Sequence, residues 1–433
     1  MIGRSFIISA LFCFVPISAY ARRITFKEAI QIAIEKSPTL SSVRSEIKIT
    51  ELEYSNSYSP FLPQLNLDAT QGVRGSDPSV YTNNNVSELN LTVTESLYDN
   101  GVSLTKRQSA RIQKEIAELN YKDKRDKLIL NVASEYLQNS LAKNLGEVKD
   151  QQFKIINKQY QSVSSQYQQG VKTRRDYLRF KTELRRSEIE AQSSVTTVEK
   201  SRLELLVLLG IEINGQMEPV DFEPVEIQLD AVATIPGQAP LLSKHYQYQI
   251  AALKKEILAN EVYVIRRQYW PEIFLSAGAT QHTGDYLGSS AGLTETKTTS
   301  WNALAALKFN LVDWGARRRN VSVAEIKRTQ TENVIALELN TFSAENKKLM
   351  LDLKQSSKNF SLSRELLELE TKSYEFLESE YRNGRVSYLD IIVGLRDLLS
   401  AKIQMYTSYY NLRGQLFRYR YHEGKLYETI GAK

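Results

Sequence analysis

Two short stretches, YQQGVKTRRDYL at residues 167–178 and YRNGRVSYLDII at residues 381–392, decide how the whole chain is organised. In each, a tyrosine is followed three residues later by a glycine, and an aspartate follows six residues after the glycine. Glycine accepts backbone angles that reverse the chain, so each stretch is typical of a turn. The two turns lie 214 positions apart in a chain of 433 residues, which indicates that one plan is built twice.

Other motifs return in the same order. LYDNG at residues 97–101 recurs as LVDWG at residues 311–315, again at an offset of 214. PQLNL at residues 63–67 recurs as PEIFL at residues 271–275, at an offset of 208. Shared order and spacing indicate a tandem duplication. The expected divisions are repeat 1 at 22–210, a linker at 211–239, repeat 2 at 240–420 and a tail at 421–433.

Each repeat contains a segment typical of a very long helix. The segments at about 100–166 and 314–380 are rich in Ala, Leu, Glu, Lys, Gln and Arg and lack proline. At 1.5 Å per residue, each would form a rod of roughly 100 Å, which must pack along its length because long narrow helices are not stable alone. Return helices and shorter leading helices are also predicted, at about 174–209, 387–420, 25–58 and 240–268.

Between the leading helix and the long helix, apolar residues alternate with polar ones. Leu89, Leu91 and Val93, for example, alternate with polar neighbours, the period of a β-strand. Segments of about ten such residues match tilted membrane strands, although two hairpins of a soluble sheet would show the same pattern. Strands are predicted at about 64–74, 86–97, 272–281 and 299–310. Aromatic residues expected to form an interfacial girdle at the strand ends are Tyr98, Trp270, Trp301 and Trp314.

The first 21 residues predict export. Arg4 precedes an apolar run at residues 6–17, and Ala19-Tyr20-Ala21 fits a signal-peptide cleavage site. The only cysteine, Cys13, lies in this segment, so we expect the mature chain to lack disulfides and cysteine metal sites. Export permits an outer-membrane location. Four strands cannot close a membrane barrel, for which eight is the smallest number, so the chain is expected to oligomerise; three copies would supply twelve strands.

Charge and residue types argue against other functions. The 56 Lys and Arg residues are interleaved with 50 Asp and Glu residues, which is typical of solvated helix faces rather than a nucleic-acid surface. The three histidines, at positions 245, 282 and 422, are far apart in sequence and are expected to be exposed. No phosphate-binding loop, nucleophile elbow or metal-ligand spacing occurs. We therefore expect no catalysis, cofactor, metal or nucleic-acid partner.

The PQLNL, LYDNG, LVDWG and YxxG motifs together resemble the TolC-like outer-membrane factors of Gram-negative bacteria, the exit ducts of efflux pumps and type I secretion systems. The resemblance covers nearly the whole mature chain. It implies an α+β membrane protein, a homotrimer whose strands form one twelve-stranded β-barrel in outer-membrane lipid above a long periplasmic α-helical barrel. It also implies a periplasmic adaptor and an inner-membrane transporter as partners, and it places the linker and the tail in an equatorial region.

Under this resemblance the two turns are periplasmic tips, at about 167–176 and 381–390, that close the duct. In the family a tyrosine of the second turn is tied to an aspartate of the first, positions held here by Tyr381 and Asp176. Asp390 matches the first of two pore aspartates, Val393 replaces the second, and Asp397 could act instead; helix capping is the alternative role. The expected gate residues are Tyr167, Gly170, Asp176, Tyr381, Gly384, Arg385, Asp390 and Asp397.

The tips are also basic. An acidic docking surface on an adaptor would suit this charge, whereas ordinary solvated charge is the alternative. The residues expected to dock the adaptor are Lys172, Arg174, Arg175 and Arg382. The sequence leaves efflux and type I secretion open, and the alternative function is a structural or adhesive coiled coil without channel activity.

Overall fold

The computed structural model describes residues 22–74, 84–211, 220–226, 240, 242–288, 292–383 and 385–431. The export segment predicted at residues 1–21 lies outside these residues. The helices are α1 Phe26–Lys36, α2 Pro38–Asn56, α3 Val102–Gln168, α4 Arg174–Leu208, α5 Tyr246–Arg267, α6 Ala316–Arg382, α7 Tyr388–His422 and α8 Leu426–Gly431. The strands are β1 Arg22–Ile24, β2 Gln64–Arg74, β3 Asn84–Tyr98, β4 Val220–Phe222, β5 Glu272–Gly288 and β6 Gly292–Lys308. In the described ranges, every helix is too short or too polar to cross a membrane.

The two repeats match element by element. Helices α3 and α6 each have 67 residues, and α4 and α7 each have 35. In the first hairpin Gln64 lies opposite Thr94, and in the second Glu272 lies opposite Lys308. These pairs are related by 208 residues for the first strand and 214 for the second. The same offsets therefore define equivalent positions in the two repeats: 208 for α2 and β2, and 214 for β3, α3 and α4.

Two elements differ from the sequence-based expectation. The leading helix predicted at 25–58 is broken at Ser37, which caps α2 with an extended ψ of 117° because the proline that follows disfavours a helical conformation before it. Strands β5 and β6 each have 17 residues and pair as far as Gly288 opposite Gly292. The predicted strands, 272–281 and 299–310, are too short at this hairpin end because backbone pairing continues where the apolar alternation has already stopped.

The sheet β2-β3-β5-β6 is antiparallel throughout and has two chemically different faces. One row across it is apolar: Leu67, Leu91, Ala279 and Trp301. The next row, on the other face, is polar: Asp68, Asn90, Thr280 and Ser300. The apolar face is uncovered in the protomer, where Leu65 and Leu67 are 66% and 65% exposed. It does not lie on a protein core, as the hairpins of a soluble sheet would.

The same capped junction leads from each hairpin into each long helix. The carboxylate of Asp99 accepts N–H groups two and four residues later, at 3.1 and 2.6 Å, and Asp313 does the same at 3.0 and 2.8 Å. The residue after each aspartate, Asn100 or Trp314, has a positive φ, as does the glycine that follows. The Asn100 side chain also donates to the carbonyl of Pro271 at 2.9 Å, which joins repeat 1 to repeat 2.

An apolar core lies half-way along the rods, where the short strands β1 and β4 pair in parallel. Tyr136 of α3 is 1% exposed at its centre, and its hydroxyl lies 3.0 Å from the carbonyl of Ile24 and 2.7 Å from that of Glu223. The rings of Phe26 and Phe222 pack edge-on against it. Strand β4 belongs to the predicted linker, of which residues 212–219 and 227–239 lie outside the described residues.

Candidate functional site at the helical tips

The first tip is a glycine turn that reverses the chain between α3 and α4. The Val171 N–H donates to the Gln166 carbonyl at 2.9 Å, and the Gly170 N–H donates to the Tyr167 carbonyl at 3.0 Å. Gly170 has a φ of +75°, a left-handed conformation that side chains disfavour, and a Cβ there would meet nothing within 4 Å. Backbone conformation alone therefore explains this glycine. At the second tip the Arg385 N–H donates to the Glu380 carbonyl at 2.9 Å, while Gly384 lies outside the described residues.

Both tip aspartates cap the helix that follows their turn. The Thr173 hydroxyl accepts the Asp176 N–H at 3.2 Å and donates to its carboxylate at 2.8 Å. Ser387 donates its N–H and its hydroxyl to the Asp390 carboxylate, at 2.9 and 2.6 Å. These hydroxyl hydrogen bonds lower the pKa of each carboxyl group, so both caps stay ionised. The capping role is therefore present at both positions, and a role in a pore ring stays a prediction.

Tyrosines fasten the first hairpin just above its turn. Tyr167 stacks on Tyr177 with 5.0 Å between the ring centroids, and the hydroxyls of Tyr160 and Tyr177 are 3.2 Å apart. Thus Tyr167 supports its own hairpin. Tyr381, the equivalent residue of the second tip, is 40% exposed, and its predicted contact with Asp176 stays a prediction.

The two hairpins meet through contacts that the sequence did not indicate. Arg396 of α7 donates to Glu183 of α4 at 3.1 Å. Between these helices lies a groove of about 430 Å³. Its lining is basic and acidic on the α4 side and largely apolar on the α7 side: Lys172, Arg175, Asp176, Arg179, Phe180, Glu183, Ser387, Leu389, Ile392, Val393 and Arg396. Of the predicted residues, Lys172, Arg175 and Asp176 are therefore brought together, with Val393 opposite.

The other predicted tip residues have separate environments. Arg385 pairs with Glu380 of its own turn at 3.1 Å. Arg174 and Asp397 are exposed on the surfaces of α4 and α7. Arg382 ends α6, and its side chain lies outside the described residues. The four predicted girdle aromatics are exposed at the sheet end of the protomer: Tyr98 (55%), Trp270 (52%), Trp301 (82%) and Trp314 (88%).

The expectation that the three histidines are exposed was wrong for two of them. His245 is fully buried, caps α5 by accepting the Gln247 N–H at 3.2 Å, and lies 6.0 Å from the His422 ring. The helices bring these residues together across 177 positions, which spacing in sequence could not reveal. Burial lowers the pKa of His245 to about 4 and also lowers that of His422. Within the described part of the chain, no cluster of three or more metal-ligating residues could hold an ion.

These histidines predict a loss of stability in mild acid. The unfolded imidazole titrates near 6.5, whereas His245 titrates near 4 in the fold, so the unfolded chain binds more protons between these values. The free energy of unfolding should therefore fall as the pH drops from about 6.5 to 4, with a slope of up to about 1.4 kcal/mol per pH unit from His245. Urea unfolding at several pH values measures the slope. His245→Asn, which retains a capping side chain, should flatten it, whereas His282→Gln should not; equal slopes in all three proteins would contradict the assignment.

Comparison with known proteins decides the family. A family model described as "Outer membrane efflux protein" matches residues 29–210 and 242–416. The chain belongs to this family. Membership confirms the resemblance stated from the sequence, and it favours an outer-membrane export channel over a structural or adhesive coiled coil. A comparison with curated protein sequences gave no match.

Solved structures share the fold of this outer membrane efflux protein at low sequence identity. A membrane protein from Pseudomonas aeruginosa is 16% identical, with a TM-score of 0.78 and coverage of 94% of this chain and 91% of that one. The Campylobacter jejuni CmeC outer membrane channel is 14% identical (TM-score 0.76, coverage 93% and 86%). The open state of the Neisseria gonorrhoeae MtrE outer membrane channel is 18% identical (TM-score 0.76, coverage 93% and 89%). The predicted fold class, a duplicated helix–hairpin–long helix–helix unit, is confirmed.

Proposed function

We propose that three copies of the mature chain form an exit duct in the outer membrane, with the rods in the periplasm, after the export segment at residues 1–21 is removed. The observation that carries this proposal is the four-stranded sheet. Its apolar face is exposed, and β2 and β6 each have only one neighbour in the protomer. Open strand edges are not tolerated in lipid, and β6 and β2 of adjacent copies would pair antiparallel. Three copies then close the sheet with twelve strands.

The helices support the same assembly through their equivalent positions. On α3, Leu137 and Val148 are buried, at 4% and 1% exposure, in clusters with α7. Their equivalents on α6, Leu351 and Leu362, are 68% and 53% exposed. A matching apolar surface lies at the other side of the protomer, on α4, where Val195 is 69% exposed although its α7 equivalent is fully buried. We infer that α6 of one copy packs against α4 of the next as α3 packs against α7.

In this arrangement the polar face of the sheet lines a water-filled channel and the tips form its periplasmic entrance. The groove between α4 and α7 and the basic residues beside it, Arg174 and Arg175, are available for an adaptor that links the duct to an inner-membrane transporter. Selection of drugs, small molecules or proteins for export would then rest with that transporter. A neighbouring gene for an ABC exporter would favour type I secretion, and one for a resistance-type antiporter would favour efflux.

Fractionation and bilayer recording test the function together. The full-length protein, expressed in a Gram-negative host, should appear in the outer-membrane fraction as a trimer that dissociates on heating in SDS. Reconstituted into a planar bilayer, it should conduct ions. A soluble periplasmic monomer, or a membrane trimer that never conducts even after its tips are loosened, would contradict the proposal.

Removing the ion pair between the hairpins should loosen the tips. Arg396→Ala breaks the contact with Glu183, and exposed pairs contribute about 0–1 kcal/mol each, so three pairs could shift the open population several-fold. Single-channel recording should show a larger open fraction, and cells should take up more of a large antibiotic. Arg385→Ala removes a pair within one turn, and it should have little effect. A larger response to Arg385→Ala than to Arg396→Ala would refute this role.

A further inference from the structure

The structure defines how the open edges β6 and β2 of adjacent copies pair. Within each hairpin the register is the same once the repeat offsets are applied: Gln64 opposite Thr94 becomes Glu272 opposite Lys308. The protomer also contains one junction between the repeats, formed by β3 and β5, in which Thr94 lies opposite Ser276. The junction between copies joins the equivalents of these two strands, β6 and β2.

Transfer of the internal register by the offsets gives a specific pairing. Thr94 plus 214 is Lys308, and Ser276 minus 208 is Asp68. We propose that Lys308 lies directly opposite Asp68 of the next copy, and that this row is an ion pair repeated around the inner wall of the duct. The proposal rests on the assembly described above, and it adds the register and the charged contacts that hold the copies together.

The faces of the strands agree with this register. Lys308 and Asp68 both belong to the polar face, and the neighbouring row places Leu307 opposite the next copy's Ala69 on the apolar face. A slip of one residue would turn polar side chains towards lipid and is excluded by the period of two. Slips of two residues keep the faces but place Lys308 opposite Asn66 or Thr70, which leaves the lysine without an acidic partner across the junction.

Charge distribution gives an independent argument. Within the protomer, the equivalent row consists of neutral side chains: Gln64, Thr94 and Ser276. At the boundary between copies the same row becomes charged, since Glu272 lies opposite Lys308 on one side and the next copy's Asp68 lies on the other. A lysine between two carboxylates is favourable, whereas like charges directly opposite each other are destabilising. The charged row thus occurs only where a partner must be recognised.

Cysteine pairs read the register directly, because Cys13 of the export segment is the chain's only cysteine. The proposed register places Ala306 opposite Thr70 of the next copy, the equivalent of Thr92 opposite Gly278. Ala306→Cys with Thr70→Cys should therefore give disulfide-linked dimers and trimers on a denaturing, non-reducing gel. Ala306→Cys combined with Asp68→Cys or Gly72→Cys reports the two slipped registers. More cross-linking from either slipped pair than from the first would overturn the proposal.

A lysine scan gives a second readout that does not need a disulfide. Asp68→Lys should lower the temperature at which the SDS-resistant trimer dissociates by about 5 °C, whereas Asn66→Lys and Thr70→Lys should change it by much less. A larger loss from either control would identify a slipped register and overturn the proposal. A wild-type protein that is monomeric would instead contradict the proposed function. A trimer with a slipped register contradicts this inference alone.

Discussion

Replacing Leu351 and Leu362 together with aspartate is expected to abolish the trimer while leaving the protomer folded. Both side chains are more than half exposed in the protomer, so the substitutions remove little of its core. In the assembly each leucine would be buried, which is worth about 1.5–3 kcal/mol, and a carboxylate there would lose its water without gaining a partner. Repeated at three boundaries, the loss is on the order of 10 kcal/mol per trimer. Native mass spectrometry in detergent measures the outcome.

Val334→Asp is the matched control. Val334 is 51% exposed on the same helix, but its equivalent, Asn120, is exposed even where the repeats meet inside the protomer. Position 334 should therefore face solvent in the trimer, and this variant should assemble normally. Retention of the trimer in the double variant, or its loss in the control, would show that the equivalence of internal and external boundaries is wrong.

Tyr136→Ala is expected to unfold the equatorial layer, at a cost of about 3–5 kcal/mol. The ring is fully buried between Phe26 and Phe222, and its hydroxyl lies beside carbonyls of the segments that contain β1 and β4. Truncation leaves a cavity at the point where the chain terminus, the linker and α3 are joined. Urea unfolding should show the loss, and hydrogen exchange should rise first in β1 and β4.

Tyr136→Phe separates packing from hydrogen bonding. It keeps the ring contacts and removes only the hydroxyl, so it should cost about 1–2 kcal/mol and leave exchange in β1 and β4 close to that of the wild type. Equal losses in the two variants would assign the effect to the hydroxyl rather than to the ring. A loss below about 1 kcal/mol in Tyr136→Ala would contradict the central place of this residue in the core.

The sequence predicted those features that repeat with a period. The YxxG turns, the D-x-G junctions and the change from a helical period to a period of two are local signals, and they located both rods and both hairpins. The hairpin ends of β5 and β6 were missed because their polar residues carry no alternation. The break at Ser37 had a local signal, the following Pro38, that could have been used.

Contacts between distant helices left no local signal. Nothing near Arg396 or Glu183 in sequence indicates that they meet, and His245 and His422 come together only because α5 and α7 end in the same core. The tip aspartates were predicted with two possible roles. The structure shows their capping hydrogen bonds, whereas a ring of carboxylates requires a neighbouring copy that a single chain does not contain.

The mass of the assembly extracted from outer membranes tests the central claim most directly. Native mass spectrometry of the full-length, detergent-purified protein should give three copies of the chain, each lacking the first 21 residues. A protomer that remains single, or an assembly whose copy number is not three, would contradict the closure of the sheet and of the helical wall between copies.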